Sequence, residues 1–269
     1  MTNSHTIDVP GGRLYYEVRG SGPLLLVVGS PMGAAPFARL ADALADDHTV
    51  VTLDPRGISA SRLDDPGEDT TVDQRADDLV AILDDLGTES ADVFGSSGGA
   101  VTGLSLVARY PGQVRTLVAH EPPLLELLPD AAERRAGIDD IVDTFHREGL
   151  GAAFGKFMAG FAAAGEENAP PPPPPGPPSE QDLADGARFL GHDMRATTRY
   201  LPDVAAVTAA PTRMVVAVGA ESAGQPAHLG AVALAERLGT AAVEFPGGHG
   251  EFLGRPAEFA DALRKALAG

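Results

Sequence analysis

Short apolar runs rich in Val, Leu and Ile recur along this chain as LLLVV (24–28), TVVTL (49–53), ADVF (91–94), TLVAH (116–120), RMVVAV (213–218) and AAVEF (241–245). A strand that is apolar on both faces needs cover on both, and a parallel sheet wrapped by helices supplies it. Helical patterns lie between the runs: PFARLADALADD, TVDQRADDLVAILDDLG with its terminal Gly stop, AVTGLSLVARYPG, PAHLGAVALAERLG and PAEFADALRKALAG. Alternating strand and helix predicts the α/β class, with a mostly parallel central sheet flanked by helices. The segment GGRLYYEVRGSGP alternates in polarity and closes on a Gly turn, which predicts an antiparallel strand at the sheet edge.

The rhythm breaks between 121 and 210, where the chain is helical in pattern and contains the tract APPPPPPGPPSE. This block is expected to be a helical lid inserted into a core domain made of 1–120 and 211–269. Successive prolines donate no backbone hydrogen bonds and favour extended geometry, so 169–178 is expected to form an exposed strap. With 269 residues, 43% of them hydrophobic, the chain can bury one sizeable core. A net charge of -18 argues against nucleic acid or an anionic membrane as partner, and the absence of Cys removes disulfides and thiolate chemistry. No basic-then-apolar leader pattern opens the sequence, and no apolar run reaches spanning length, so a cytoplasmic location with no membrane partner is expected.

The stretch FGSSGGA (94–100) places two serines between small residues. Gly95, Ser97 and Gly99 make the pattern G-x-S-x-G, whereas a frame centred on Ser96 would need Gly at Phe94. With an apolar strand before and a helix after, Ser97 is the candidate nucleophile, held at a turn whose strain only small neighbours permit. A serine hydroxyl needs a base, and His249, in the Gly-rich loop after the last strand, is the candidate. His120 ends a strand at the carboxyl edge of the sheet and is expected to line the pocket, with a catalytic role as the lesser alternative. Two carboxylates compete to orient His249. Glu221 follows the run 213–218 and is preferred, because 28 residues separate it from the histidine, room for one helix and one strand. Glu121 stands at another strand end and is the alternative acid or a substrate contact. The oxyanion site needs two backbone N–H groups, and Gly98, after the nucleophile, and Ser30, in VVGSPMGA, are the candidates, since Pro31 has none.

The edge segment through PMG, the turn DPRGISASR (54–62), GSSGG, the loop at Glu221 and GGHGEFL together resemble the α/β-hydrolase superfamily. The oxyanion loop carries Val28-Gly29 where many members have His-Gly, and the acid is Glu where Asp is commoner. The resemblance implies an α/β-hydrolase fold and a serine hydrolase of the esterase type, cleaving a carboxylic ester or lactone through an acyl-enzyme on Ser97. A cofactor-free C–C lyase, cyclase or perhydrolase on the same fold is the alternative, followed by a ligand-binding protein on a hydrolase scaffold. No metal or other cofactor is expected, since HExxH, Walker and dinucleotide fingerprints are lacking. The expected partner is a small molecule with a hydrophobic acyl or alcohol group, enclosed by the lid's Leu and Phe side chains.

Overall fold

A computed structural model of the chain describes residues 2–162 and 177–269. The expected strap at 169–178 therefore lies outside the described residues, apart from Pro177 and Pro178. Among the described residues the strands β1 (Thr2–Val9), β2 (Gly12–Gly20), β3 (Leu24–Val28), β4 (Thr49–Leu53), β5 (Arg62–Leu63), β6 (Ala91–Ser96), β7 (Val114–His120), β8 (Arg213–Gly219) and β9 (Val243–Phe245) form one sheet. Its order is β1-β2-β4-β3-β6-β7-β8-β9, with β5 beside β2. From β4 to β9 every pairing is parallel. The segment expected at the edge is β2, which is antiparallel but not outermost: Pro10 and Gly11 turn the chain and pair β1 along its whole length. Gly11 takes φ of +79°, the left-handed conformation that such a tight turn asks for.

Helices cover both faces. On one, α1 (Ala34–Leu44) and α11 (Pro256–Ala268) bury Phe37, Leu40, Phe259 and Leu263 against Leu25, Val27, Val50 and Phe94. On the other, α2 (Val72–Asp85), α3 (Gly98–Arg109) and α9 (Pro226–Leu238) bury Leu79, Leu104 and Leu234 against Leu26, Val51, Val93 and Val216. Successive residues of each run thus face opposite cores, which is why the runs are apolar throughout. Each large apolar side chain so buried contributes roughly 1.5–3 kcal/mol. The start of α2 is set by a reciprocal cap, Gln74 N–H to Thr71 Oγ1 at 3.1 Å and Thr71 N–H to Gln74 Oε1 at 2.8 Å.

Between β7 and β8 lie α4 (Ala131–Glu148), α5 (Leu150–Ala162), α6 (Glu180–Arg188), α7 (Met194–Thr198) and α8 (Val204–Ala209), and no strand among the described residues. This helical insert has a small core of its own around Val142, Ala153, Leu190 and Met194. It is fastened to the sheet domain by Asp185, which accepts from Ser59 N–H at 2.8 Å and Ser59 Oγ at 2.6 Å. Arg188 reaches the carbonyls of Glu68 at 2.6 Å and Pro66 at 3.2 Å. Among the described residues no helix is long and apolar enough to cross a membrane.

Chain order reverses at β3: β4 packs on one side of it and β6 on the other. The loops after β3 and β6 both emerge at the carboxyl edge of the sheet, the edge at which open α/β sheets bind ligands.

Candidate active site

Ser97 stands at the end of β6, with φ of 56° and ψ of -123°. A side chain in that region costs on the order of 1–3 kcal/mol, so the surroundings must impose it. They do so through hydrogen bonds and close packing. Ser97 N–H donates to His120 O at 2.9 Å, and Ala100 N–H donates to Ser97 O at 3.0 Å. A Cβ on Gly95 would sit 2.7 Å from Ala100 Cα, and one on Gly99 would sit 2.0 Å from Val28 O, so both flanking positions must be Gly. Ser96 points elsewhere: it is fully buried, with Oγ 3.3 Å from His120 Nδ1. A Cβ on Gly98 would meet Ser30 Cβ and O at 2.9 Å, so the turn after β3 rests directly on the first residue of α3. The register Val28↔Gly95 brings these two turns side by side. As the first residue of a helix, Gly98 has an N–H with no intrahelical partner, and Ser30 N–H finds no backbone acceptor among the described residues.

His249 lies in the loop after β9, and the carboxylate that meets it is Glu121, not the preferred Glu221. The distance from His249 Nδ1 to Glu121 Oε2 is 2.6 Å. Glu121 has no exposed surface, and its Oε1 accepts from Gly219 N–H at 2.9 Å and from Ser222 Oγ. His228 Nδ1 stands 3.6 Å from the same oxygen. Burial alone would raise the Glu121 pKa. The nearby His228 and the hydrogen bond from His249 outweigh it and hold the carboxyl below the usual range. An ionised carboxylate only accepts, so Nδ1 of His249 donates the proton of this hydrogen bond. Glu221 is exposed and pairs with Arg255 Nη2 at 3.1 Å. The expectation failed on the backbone at Glu121. Its φ of 46° swings the side chain across the end of β8 before Pro122-Pro123 carries the chain away, while its N–H stays bonded to Ala217 O at 3.0 Å.

The family model for the alpha/beta hydrolase fold matches residues 22–167. The chain belongs to the α/β-hydrolase family. It is similar to an uncharacterized hydrolase of Bacillus subtilis, YraK, with 34% identity over 98% of this chain and 96% of the relative. Among solved structures it resembles a thermophilic esterase from Thermogutta terrifontis, at 20% identity and a TM-score of 0.75, covering 99% of this chain and 98% of the other. Est816, described as an N-acyl homoserine lactone degrading enzyme, aligns at 20% identity with a TM-score of 0.70, over 97% of this chain and 99% of its own. The relative at 34% identity supports a hydrolase on this fold, and the two solved structures support the fold itself.

In this α/β-hydrolase His120 has no accessible surface, so it lines no cavity that water can enter, contrary to expectation. Phe94, Phe245 and Phe259 enclose it, and the His249 ring lies nearly parallel to it at 6.0 Å. Burial lowers its pKa to about 4, with the Glu121 charge opposing, so the ring is a neutral wedge behind His249. Leu124 and Leu127 are part of the core beneath the insert and do not form a binding surface. Three polar residues at the site went unrecognised in the sequence. Ser222 and His228 carry no local signal, since only the arrival of Glu121 gives them a role. Arg75, which donates to Ser30 Oγ at 2.7 Å, did carry one: it occupies an apolar-face position of α2, in register with Val72, Ala76 and Leu79.

Proposed function

We propose that this α/β-hydrolase cleaves a small carboxylic ester or lactone through an acyl-enzyme, with Ser97, His249 and Glu121 as its triad. The observation that carries the reading is the buried Glu121 carboxylate on His249 Nδ1 at the sheet edge where Ser97 is held in a strained turn. His249 Nε2 takes the Ser97 proton as Oγ attacks the carbonyl carbon, and Glu121 stabilises the imidazolium without becoming protonated. The N–H groups of Gly98 and Ser30 receive the tetrahedral oxyanion. Collapse breaks the bond to the leaving oxygen, which takes the proton from His249. Water, deprotonated by the same imidazole, then releases the acid and restores Ser97. In a lactone the leaving hydroxyl stays tethered to the acyl group. Two likenesses support this substrate class: the thermophilic esterase and the lactone degrading enzyme share the fold.

The test uses a fluorophosphonate probe and a p-nitrophenyl ester. The wild type is expected to label and turn over. Ser97→Ala should abolish labelling and leave only the roughly 10³–10⁴-fold acceleration that oxyanion and binding contacts provide in comparable triads. Ser96→Ala should keep both activities. Persistent labelling of Ser97→Ala would discard the mechanism.

A further inference from the structure

The face that α2 turns to the core carries two residues that hydrophobicity does not explain. Val72, Ala76, Leu79, Ile82 and Leu83 are buried there, and so are Arg75 and Asp78. Asp78 is accounted for by Arg56, whose Nε donates to Oδ2 at 2.9 Å and whose Nη2 donates to Oδ1. Arg75 has no equivalent. Among the described residues it makes no ion pair, its Nε finds no acceptor, and only 4% of it is exposed. Asp193 and Asp78 act on it only through the field, and Arg188 opposes them. A buried charge without a partner at contact distance costs several kcal/mol, and Leu or Met would fill the position without that cost.

What Arg75 holds is a pair of hydroxyls. Nη1 donates to Ser30 Oγ at 2.7 Å and Nη2 donates to Thr197 Oγ1 at 2.8 Å. A planar guanidinium keeps its donors in a rigid fork, so it fixes the separation of the two groups as a lysine or an apolar residue would not. One hydroxyl belongs to the turn that packs on Gly98. The other belongs to α7, which is tied to the insert because Met194 is buried in the insert's core and Arg195 Nε donates to Asp139 Oδ1 of α4 at 2.8 Å.

We propose that Arg75 is a positioning residue that locks Ser30, and with it the oxyanion turn, to the seated helix α7, so that the oxyanion site is complete only when the lid is docked. The proposal rests on the reading of Ser30 and Gly98 as oxyanion donors. Lid seating and transition-state stabilisation then become one event, since a displacement of about 1 Å at a catalytic group costs on the order of 10²-fold in rate.

The experiment measures the second-order rate of Ser97 phosphonylation by the fluorophosphonate, kcat and KM for a p-nitrophenyl ester, and Tm. Arg75→Met should slow phosphonylation and kcat together by about 10- to 100-fold and leave KM within about twofold, because only transition-state contacts are lost. Thr197→Val, isosteric but without the hydroxyl, should slow both by roughly fivefold, and Thr197→Ser, which keeps the hydroxyl, should restore them. Ser30→Ala should reproduce the Arg75→Met loss, and the double variant should be no slower than either alone. If Arg75→Met fails to fold, the Thr197 pair decides. A folded Arg75→Met that lowers Tm but phosphonylates at the wild-type rate would reduce Arg75 to a structural strut, as would identical behaviour of Thr197→Val and Thr197→Ser. A wild type that does not label overturns the triad reading and this proposal together. A wild type that labels beside variants that are not slowed overturns only the proposal.

Discussion

Glu121 pays for its position twice, in a left-handed backbone that costs a non-glycine residue about 1–3 kcal/mol and in the burial of a carboxylate. Three donors hold that carboxylate, Gly219 N–H, Ser222 Oγ and His249, and the His228 ring stands 3.6 Å from it. On this geometry Glu121→Gln should lower kcat by about 10⁴-fold, since an amide no longer enforces the tautomer with the proton on Nδ1. Glu221→Gln, at an exposed ion pair worth at most about 1 kcal/mol, should leave kcat within about twofold. Steady-state kinetics on one short-chain ester, with circular dichroism to confirm folding, separates the two. A collapse on Glu221→Gln with Glu121→Gln spared would reverse the assignment. At this scale the sequence showed where Ser97 and His249 stand but not which acid meets the imidazole. Both glutamates follow strands, and the choice turns on a single backbone dihedral that no neighbouring residue announces.

The turn from β6 to α3 is a unit in which small residues act as clearance for the backbone. Gly99→Ala would drive a methyl to 2.0 Å from Val28 O, where the neighbour is main chain and cannot yield without separating α3 from β3. Urea denaturation should show a loss of about 3 kcal/mol or more, or no soluble protein. Gly137 offers the opposite case, since a Cβ there meets nothing within 4 Å on helix α4. Gly137→Ala should stabilise the protein by about 0.5–1 kcal/mol in the same assay. The elements themselves were largely legible, and the apolar runs at 24–28 and 49–53 coincide with β3 and β4 residue for residue. Strand β1 was not, because TNSHTIDV is polar and mostly exposed, and its pairing with β2 supplies the order that its own pattern does not.

Acid stability belongs to the whole molecule, since protons taken up by the unfolded chain and refused by the native one weaken every element together. His120 is the clearest such group. Burial depresses its pKa from 6.5 to about 4. Above pH 6.5 neither state binds the proton and His120 adds no pH dependence. As pH falls below 6.5 the unfolded chain protonates first, and stability drops until the native ring protonates near pH 4. The loss is about 3 kcal/mol at about 1.4 kcal/mol for each tenfold in proton binding. Below the ordinary glutamate value of 4.5, Glu121, whose pKa is held down, adds a further loss. In His120→Phe, Tm should therefore change much less between pH 6.5 and 4.5 than in the wild type, read by differential scanning fluorimetry. Equal slopes would show that the histidine does not govern this window.

From the sequence alone came what local pattern encodes. Runs apolar on both faces require a covered parallel sheet, the glycine spacing at 95–99 marks a turn only small residues can make, and the Gly-rich loop after the last strand carries the histidine. The tertiary structure decided what depends on residues distant in the chain arriving together. It brought Glu121 to His249 across 128 positions, with the side chain turned by a positive φ. It gave Arg75 its place between Ser30 and Thr197, where a charge on an apolar helix face, anomalous in one dimension, becomes the link between the inserted helices and the turn beside Ser97.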